Sequence, residues 1–145
     1  MLLCSIKGMA QKNVFTDSST SYYVGPIFAF TQGEELRNTV TPMLAMGMVI
    51  KSVAIEVDLG RSNMNFSTKP SYFWELRCMP SVSINQSPFK VFGVLGIGNT
   101  FGQKHYFLDY GAGMITALYK KVDIAVQLGN ADKVTYISVC LLRNF

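Results

Sequence analysis

The chemically reactive side chains of this sequence are few, and they are dispersed along the chain. His105 is the only histidine, and no partner for a catalytic triad or a metal site lies near it in sequence. The pairs Glu56/Asp58 and Glu75/Arg77 could do general acid–base work. Their two-residue spacing, however, places each pair on one face of an extended strand. We therefore predict no catalytic residue, no metal site and no cofactor.

Neither the cysteines nor the glycines form a recognisable ligand site. The three cysteines, Cys4, Cys78 and Cys140, lack the C-x-x-C spacing typical of zinc sites. Cys78 and Cys140 fall on opposite faces of different predicted strands, which favours two buried free thiols over a disulfide. The glycine-rich stretch 93–102 does not match the G-x-G-x-x-G pattern of a phosphate loop, and no helix follows it.

The composition indicates one ordered domain that is poor in charge. The chain has 145 residues, of which 49% are hydrophobic and 15% charged, and this excludes a disordered protein. No apolar run approaches the roughly 18 residues that a membrane-spanning helix needs. The 13 basic and 9 acidic residues give a net charge of +4. Because the only adjacent basic pair, Lys120–Lys121, falls in a predicted turn, we expect no nucleic-acid partner.

Apolar residues recur with a period of two, which is the periodicity of a β-strand. In the stretch 122–129, Val, Ile, Val and Leu share one face, and Asp, Ala, Gln and Gly share the other. Turn-forming residues divide the chain into eight such runs. The runs cover residues 22–31, 39–50, 53–63, 72–84, 90–100, 106–119, 122–129 and 134–145.

The lengths and connections of these runs favour a barrel that crosses a membrane. The runs have 8 to 14 residues, which suits tilted membrane-spanning strands of about 9–11 better than the usual 5–6. An even number of strands lets the last close on the first. Short turns at 51–52, 85–89 and 120–121 alternate with longer or comparable polar stretches at 32–38, 62–71, 101–105 and 130–133. This alternation is typical of outer-membrane barrels. The composition of 32–37 allows one turn of helix at most.

The two faces differ in a way that indicates which one meets lipid. One is bulky and apolar, whereas the other is small or charged, and the interior of an eight-stranded barrel is only wide enough for packed side chains. Buried charges must also be paired. We therefore predict an all-β, eight-stranded, antiparallel, up-and-down transmembrane β-barrel. Its lumen would hold a polar ladder of Glu56, Asp58, Glu75, Arg77, Asp109, Asp123 and Gln127.

Aromatic residues cluster near the predicted strand ends, where interfacial girdles of membrane barrels lie. The set is Tyr22, Tyr23, Tyr72, Phe73, Trp74, Tyr106, Tyr110, Tyr119, Tyr136 and Phe145.

The last strand carries the most specific pattern of the chain. Ile137, Val139, Leu141 and Phe145 alternate toward a terminal phenylalanine, with Arg143 departing from the pattern. This resembles the signal that the outer-membrane assembly machinery reads. With the preceding hairpins, it resembles the small OmpA/OmpX-like outer-membrane β-barrel superfamily. The resemblance implies a bacterial outer-membrane location, short turns facing the periplasm, and contact with outer-membrane lipid and the barrel-assembly machinery. We expect a monomer.

The first ten residues differ in character from the rest. Small residues at Gly8 and Ala10 suit a signal-peptidase site, so residues 1–10 are predicted to be the remnant of a signal peptide. Residues 11–145 would then form a single β-barrel domain. The Ala-Gln-Lys junction resembles the mature start of exported proteins from Bacteroidetes-type Gram-negative bacteria.

These features predict an integral outer-membrane protein with a structural or surface-binding role that is not an open pore and not an enzyme. Possible external contacts are Asn63, Asn65 and Lys69, with an unknown ligand. A soluble lipocalin-like barrel is an alternative, with the Val/Ile/Leu face lining a lumen that holds an apolar ligand. A component of an envelope secretion or transfer apparatus is another. A lipid-modifying outer-membrane enzyme would require His105 for its activity.

Overall fold

The computed structural model describes residues 20–33, 36–62, 71–85, 87–102 and 106–145, and within them the chain forms eight strands and no helix. The strands are β1 (Ser21–Gly33), β2 (Leu36–Ile50), β3 (Val53–Ser62), β4 (Ser71–Ser83), β5 (Lys90–Thr100), β6 (Tyr106–Tyr119), β7 (Val122–Ala131) and β8 (Val134–Asn144). Each pairs antiparallel with the next, and β8 pairs with β1 to close the barrel. This confirms the predicted fold class. No helix in the described residues is long and apolar enough to span a membrane.

The ends of β3, β4, β5, β6 and β8 lie within one residue of the sequence prediction, whereas β1, β2 and β7 extend further. β5 and β6 match at both ends, but β1 continues through Gly33 and β2 begins at Leu36. Residues 32–33 and 36–37 therefore belong to strands, and the described residues contain no helix there, within the limit of one turn that the sequence set. Pairing across the hairpin overrides local propensity here, because Thr31 and Thr39 join side chains at 2.8 Å and Gly33 still pairs with Leu36.

The predicted alternation of short turns and longer loops holds only in part. Residues 34–35 and 132–133 connect β1 to β2 and β7 to β8, so these links are as short as those at 51–52 and 120–121. The longest connection, residues 63–70, joins β3 to β4. The β4–β5 connection, residues 84–89, is predicted to be a short turn, but it is longer than the β5–β6 connection at 101–105. Lys51, Lys120 and Asp132 have positive φ angles of 59°, 42° and 56°, as tight two-residue hairpin turns require.

Burial alternates residue by residue and separates an apolar wall from a mixed interior. In β4, Glu75 and Arg77 are buried, whereas Leu76 and Cys78 are exposed on the outside. Cys78 and Cys140 are both free thiols, but the expected burial is wrong for Cys78, whose strand parity turns it outward. Large apolar side chains cover the outer wall, and Leu95 at mid-strand is 66% exposed. The interior combines buried charged and polar side chains with a cluster of apolar ones that includes Ile27 and Ile115. This is the inverted arrangement of a membrane barrel.

Five aromatic rings fill the interior by lying over glycines of adjacent strands. Each pair consists of direct cross-strand neighbours, and in each the ring occupies space that a Cβ on the glycine would need. The pairs are Tyr23–Gly47, Phe73–Gly60, Phe92–Gly113, Phe107–Gly98 and Tyr136–Gly129. The predicted interfacial position is therefore wrong for Tyr23, Phe73 and Tyr136, whose strand parity turns them inward.

Candidate functional site

A single arginine organises the polar interior. Arg77 of β4 is 3% exposed, and its guanidinium meets carboxylates on three strands. Its Nη1 lies 2.8 Å from Asp58 Oδ2 and 3.7 Å from Glu56 Oε1, both on β3. Its Nη2 lies 3.0 Å from Glu75 Oε2 on β4, and its Nε lies 3.0 Å from Asp109 Oδ2 on β6. One positive charge therefore sits among four carboxyl groups, and these five residues are called the Arg77 cluster below.

Strand periodicity and register bring these side chains together. Glu56 is the register partner of Arg77, and Asp58 is that of Glu75. Alternate positions on both strands therefore place all four side chains in one part of the lumen. Asp109 comes from β6, beyond the intervening strand β5, whose residue at that height is Gly96.

A second set of contacts continues from the Arg77 cluster toward β7 and β8. The Tyr136 hydroxyl donates to Asp109, with oxygen–oxygen distances of 2.7 and 2.9 Å to the two carboxylate oxygens. The Gln127 side-chain amide in turn donates to the Tyr136 hydroxyl. The Tyr136 ring also lies 5.9 Å from the guanidinium carbon of Arg77, within cation–π range. The polar contacts therefore cross the whole lumen.

Asp123 occupies a different part of the interior. It is fully buried on β7, and its Oδ2 accepts a hydrogen bond of 3.1 Å from the Asn144 amide at the end of β8. All seven residues of the predicted polar ladder thus lie inside the barrel. They are divided, however, between the Arg77 cluster with its Tyr136 extension and a bond close to the chain's C-terminal end.

Tyr136 is the functional residue that the sequence analysis assigned to the wrong face. It shares its parity in β8 with Ser138 and Cys140, both buried, and not with the outward Ile137 and Leu141. That parity was the available signal, and the position of Tyr136 near a strand end obscured it.

Side chains fill most of the lumen beside the Arg77 cluster. A cavity of about 30 Å³ lies between Phe73, Glu75, Arg77, Phe107 and Tyr136, which is room for about one water molecule. The rings of Phe73 and Phe107 meet edge to face with centroids 6.1 Å apart. The arrangement can hold strands together and block passage. Among the described residues, no group of three or more His, Cys, Asp or Glu side chains could hold a metal ion.

The residues proposed as an assembly signal lie along the outer face of the closing strand. Ile137, Leu141 and Phe145 are exposed, and Val139 is half-buried between them. The Phe145 backbone N–H donates to the Tyr22 carbonyl of β1 at 3.0 Å, which extends the β8–β1 closure to the last residue.

Other sequence-based candidates cannot be placed. Asn63, Asn65, Lys69 and His105 lie outside the described residues, as does the segment 1–10.

The closed barrel, its apolar outer wall and its ion-paired lumen define a transmembrane β-barrel. The solved structures that resemble it are of this class. A transmembrane β-barrel designed de novo matches with a TM-score of 0.71 at 14% identity, over 94% of this chain and 100% of that one. Ail, the attachment invasion locus protein of Yersinia pestis, matches at 0.53 and 17% identity, over 90% and 100%. Neisserial surface protein A matches at 0.51 and 14% identity, over 86% and 95%.

At these identities the likeness concerns the fold, and the fold is that of small outer-membrane β-barrels. No protein-family model matches the sequence, and no curated protein matches it either.

Proposed function

We propose that this chain is an integral protein of the bacterial outer membrane whose sealed barrel has a structural or surface-binding role and conducts no solutes. The inverted burial carries the proposal. Asp58 and Asp109 are fully buried inside the barrel, while Leu95, Leu108 and Leu128 are more than half exposed on its wall. In water such a wall would be a large apolar patch of the kind that causes aggregation, whereas in a bilayer it is solvated by acyl chains.

The soluble lipocalin-like alternative conflicts with the direction of the side chains. It requires the Val/Ile/Leu face to line the lumen and to hold an apolar ligand. In the structure, that face forms the outer wall, and the lumen holds Arg77 with its carboxylates. Burying unsolvated charge where an apolar ligand should bind would be costly.

The finer parts of the proposal concern export and assembly. We propose that residues 1–10 are the remnant of a signal peptide and that the source is a Bacteroidetes-type bacterium. The barrel-assembly machinery would recognise the outward row Ile137, Val139, Leu141 and Phe145. We further propose a monomer that is not an enzyme and whose short turns face the periplasm. A role within an envelope secretion or transfer apparatus remains the second candidate for the same barrel.

Surface binding is proposed for Asn63, Asn65 and Lys69, between β3 and β4. One structure of Ail contains sucrose octasulfate, a heparin analogue, and that protein has the same fold. A suitable first probe is therefore sucrose octasulfate itself, titrated against the wild-type barrel and against Lys69→Gln. Equal heats of sucrose octasulfate binding for the wild-type barrel and Lys69→Gln would exclude Lys69 as a contact.

The experiment that tests the main proposal combines location, closure and conductance. The chain is expressed behind a full signal peptide in a Gram-negative host, and the outer-membrane fraction is run on a gel unboiled and boiled. We expect a band that migrates faster unboiled, and no discrete channels when the purified barrel is added to a planar bilayer. A soluble periplasmic protein without a heat shift would reject the membrane assignment. Stepwise conductance would reject the sealed lumen.

A further inference from the structure

The wall of the barrel has a fork between β2 and β3. Their ladder runs from Ile50 and Val53 to the pair Met43–Gly60 and goes no further. Beyond that pair, β2 stays bonded to β1 and β3 stays bonded to β4. The next residue of β2 is Pro42, which has no backbone N–H to donate to an extended ladder. The two strands therefore separate toward the end of the barrel that carries the β3–β4 connection.

The fork opens a groove of about 630 Å³ in the barrel wall, which the inward-facing Met43, Gly60 and Phe73 also line. Its sides are apolar, with Pro42 and Leu44 from β2 and Leu59 from β3. One end of the groove is lined by Arg61 near the end of β3, Tyr72 near the start of β4 and Phe101 just after β5. Arg61 and Tyr72 are cross-strand partners, and the Phe101 N–H donates to the Tyr72 carbonyl at 2.9 Å. The groove is thus apolar along its length and cationic at one end.

We infer that this groove binds an anionic lipid, with an acyl chain between β2 and β3 and the headgroup phosphate on Arg61. The inference rests on the proposed membrane location, because an apolar groove on a lipid-facing wall is filled by acyl chains. Arg61 is exposed and forms no ion pair within the described part of the chain. A guanidinium can bind a phosphate through two parallel N–H···O hydrogen bonds, in bidentate geometry. Tyr72 and Phe101 are suited to the headgroup level.

The chain contains its own reporter for this site. Trp74 is the only tryptophan, and it is the register partner of Leu59 in the groove wall. Bromine on an acyl chain quenches tryptophan fluorescence on close contact. The barrel is reconstituted in phosphatidylcholine vesicles with a minor fraction of dibrominated phosphatidylglycerol. A parallel sample contains the same fraction of dibrominated phosphatidylcholine. The ratio of quenching gives the enrichment of the anionic lipid beside Trp74.

We expect about fivefold enrichment of the anionic lipid, as one cationic contact near a bilayer surface provides. Arg61→Gln should reduce the enrichment to near unity without reducing quenching by the zwitterionic lipid. Lys133→Gln is the matched control, because it removes one positive charge at the same end of the barrel, in the β7–β8 turn. It should leave the enrichment unchanged. Leu59→Phe, which narrows the groove, should lower quenching by the anionic lipid.

Each other outcome overturns the inference in a recognisable way. Equal loss in Arg61→Gln and Lys133→Gln would mean general surface charge and no site. Equal quenching by the two lipids in the wild type would mean an unselective wall. A heat-shifted barrel whose Trp74 neither lipid quenches would mean that protein, such as a second copy, covers the groove. Absence of both quenching and heat shift would instead reject the proposed membrane location itself.

Discussion

Arg77 reaches Asp109 across an intervening strand because the residue between them is a glycine. Gly96 of β5 is the register partner of Arg77 on one side and of Asp109 on the other. The Arg77 Nε lies 3.0 Å from Asp109 Oδ2. A Cβ on residue 96 would come within 2.9 Å of Glu75 Oε1 and 3.0 Å of Arg77 Cγ. Because residue 96 has no side chain, Arg77 of β4 and Asp109 of β6 can meet although β5 separates the two strands.

Gly96→Ala should therefore destabilise the barrel by about 1–3 kcal/mol, since the new methyl group displaces Glu75 or Arg77. The free energy of unfolding in urea, measured in lipid vesicles, checks this. Gly93→Ala is the matched control on the same strand. A Cβ there has only Pro80 within 4 Å, at 3.8 Å, so its effect should stay within about 0.5 kcal/mol. Equal effects of the two variants would contradict the role given to Gly96.

Arg77→Met should be the most damaging single change in the lumen. It removes the one cation that contacts Glu56, Asp58, Glu75 and Asp109 and leaves their carboxyl groups without it. Removing one partner of a buried ion pair costs about 3–5 kcal/mol. Arg143→Met, on the exposed face of β8, is the control and should cost little. The same unfolding measurement applies, and a neutral Arg77→Met would show that the cluster is not a structural centre.

Much of this architecture could be predicted from strand parity, and the remainder depends on the register between strands. Parity alone separates Glu56, Asp58, Glu75 and Arg77 from their outward neighbours. It does not tell how far β6 is shifted along the barrel axis, and that shift places Asp109 at the height of Arg77. Nor does it tell that Asp123 meets Asn144. The first contact follows from the register of β5 with its two neighbours, and the second is a diagonal pair in the β7–β8 hairpin, where Asp123 is the register partner of Leu142.

The predicted positions of Tyr23, Phe73 and Tyr136 are wrong because the sequence near a strand end does not give the register. Near a strand end, local sequence is compatible with either an interfacial or an interior ring, and β-propensity favours aromatics on both faces. Strand parity turns Tyr23 and Phe73 inward, and a glycine directly opposite on an adjacent strand leaves room for each ring, Gly47 for the first and Gly60 for the second. That pairing is visible only once the register is known.

Tyr136→Phe removes the hydroxyl and keeps the ring, so it measures the contribution of the hydroxyl to the free energy of unfolding. The ring would still cover Gly129, but the hydrogen bond to Asp109 and the one from Gln127 would be lost. Hydrogen bonds to charged groups contribute about 1.5–3 kcal/mol, so we expect a loss of that size in unfolding free energy. Tyr110→Phe, on the exposed face of β6, should change it by less than about 0.5 kcal/mol. A tolerated Tyr136→Phe would mean that Asp109 depends on Arg77 alone.

The contact between Gly60 and Phe73 predicts that a second substitution restores part of the stability lost in the first. Gly60→Ala places a methyl group where the Phe73 ring lies and should destabilise the barrel. Adding Phe73→Leu to that variant should recover part of the loss, because the smaller side chain leaves room for the methyl group. The double-mutant cycle should give a coupling of about 0.5–3 kcal/mol. Strictly additive effects would show that the ring and the glycine do not share space.

The effect of an arginine at Leu95 and at Leu118 shows whether the outer wall of the barrel faces lipid or water. Leu95 lies at the middle of β5, whereas Leu118 lies two residues before the Lys120 turn, and both are more than half exposed. In a bilayer, Leu95→Arg should cost about 2–4 kcal/mol and Leu118→Arg about 0–1, because the cost of a cation falls from the midplane to the interface. Folding yield into vesicles, read from the heat-shifted band, compares them. In water, an arginine at either exposed site would be tolerated within about 0.5 kcal/mol. Equal yields for the two variants would therefore contradict a lipid-facing wall, whereas a depth-dependent loss can arise only if Leu95 faces acyl chains.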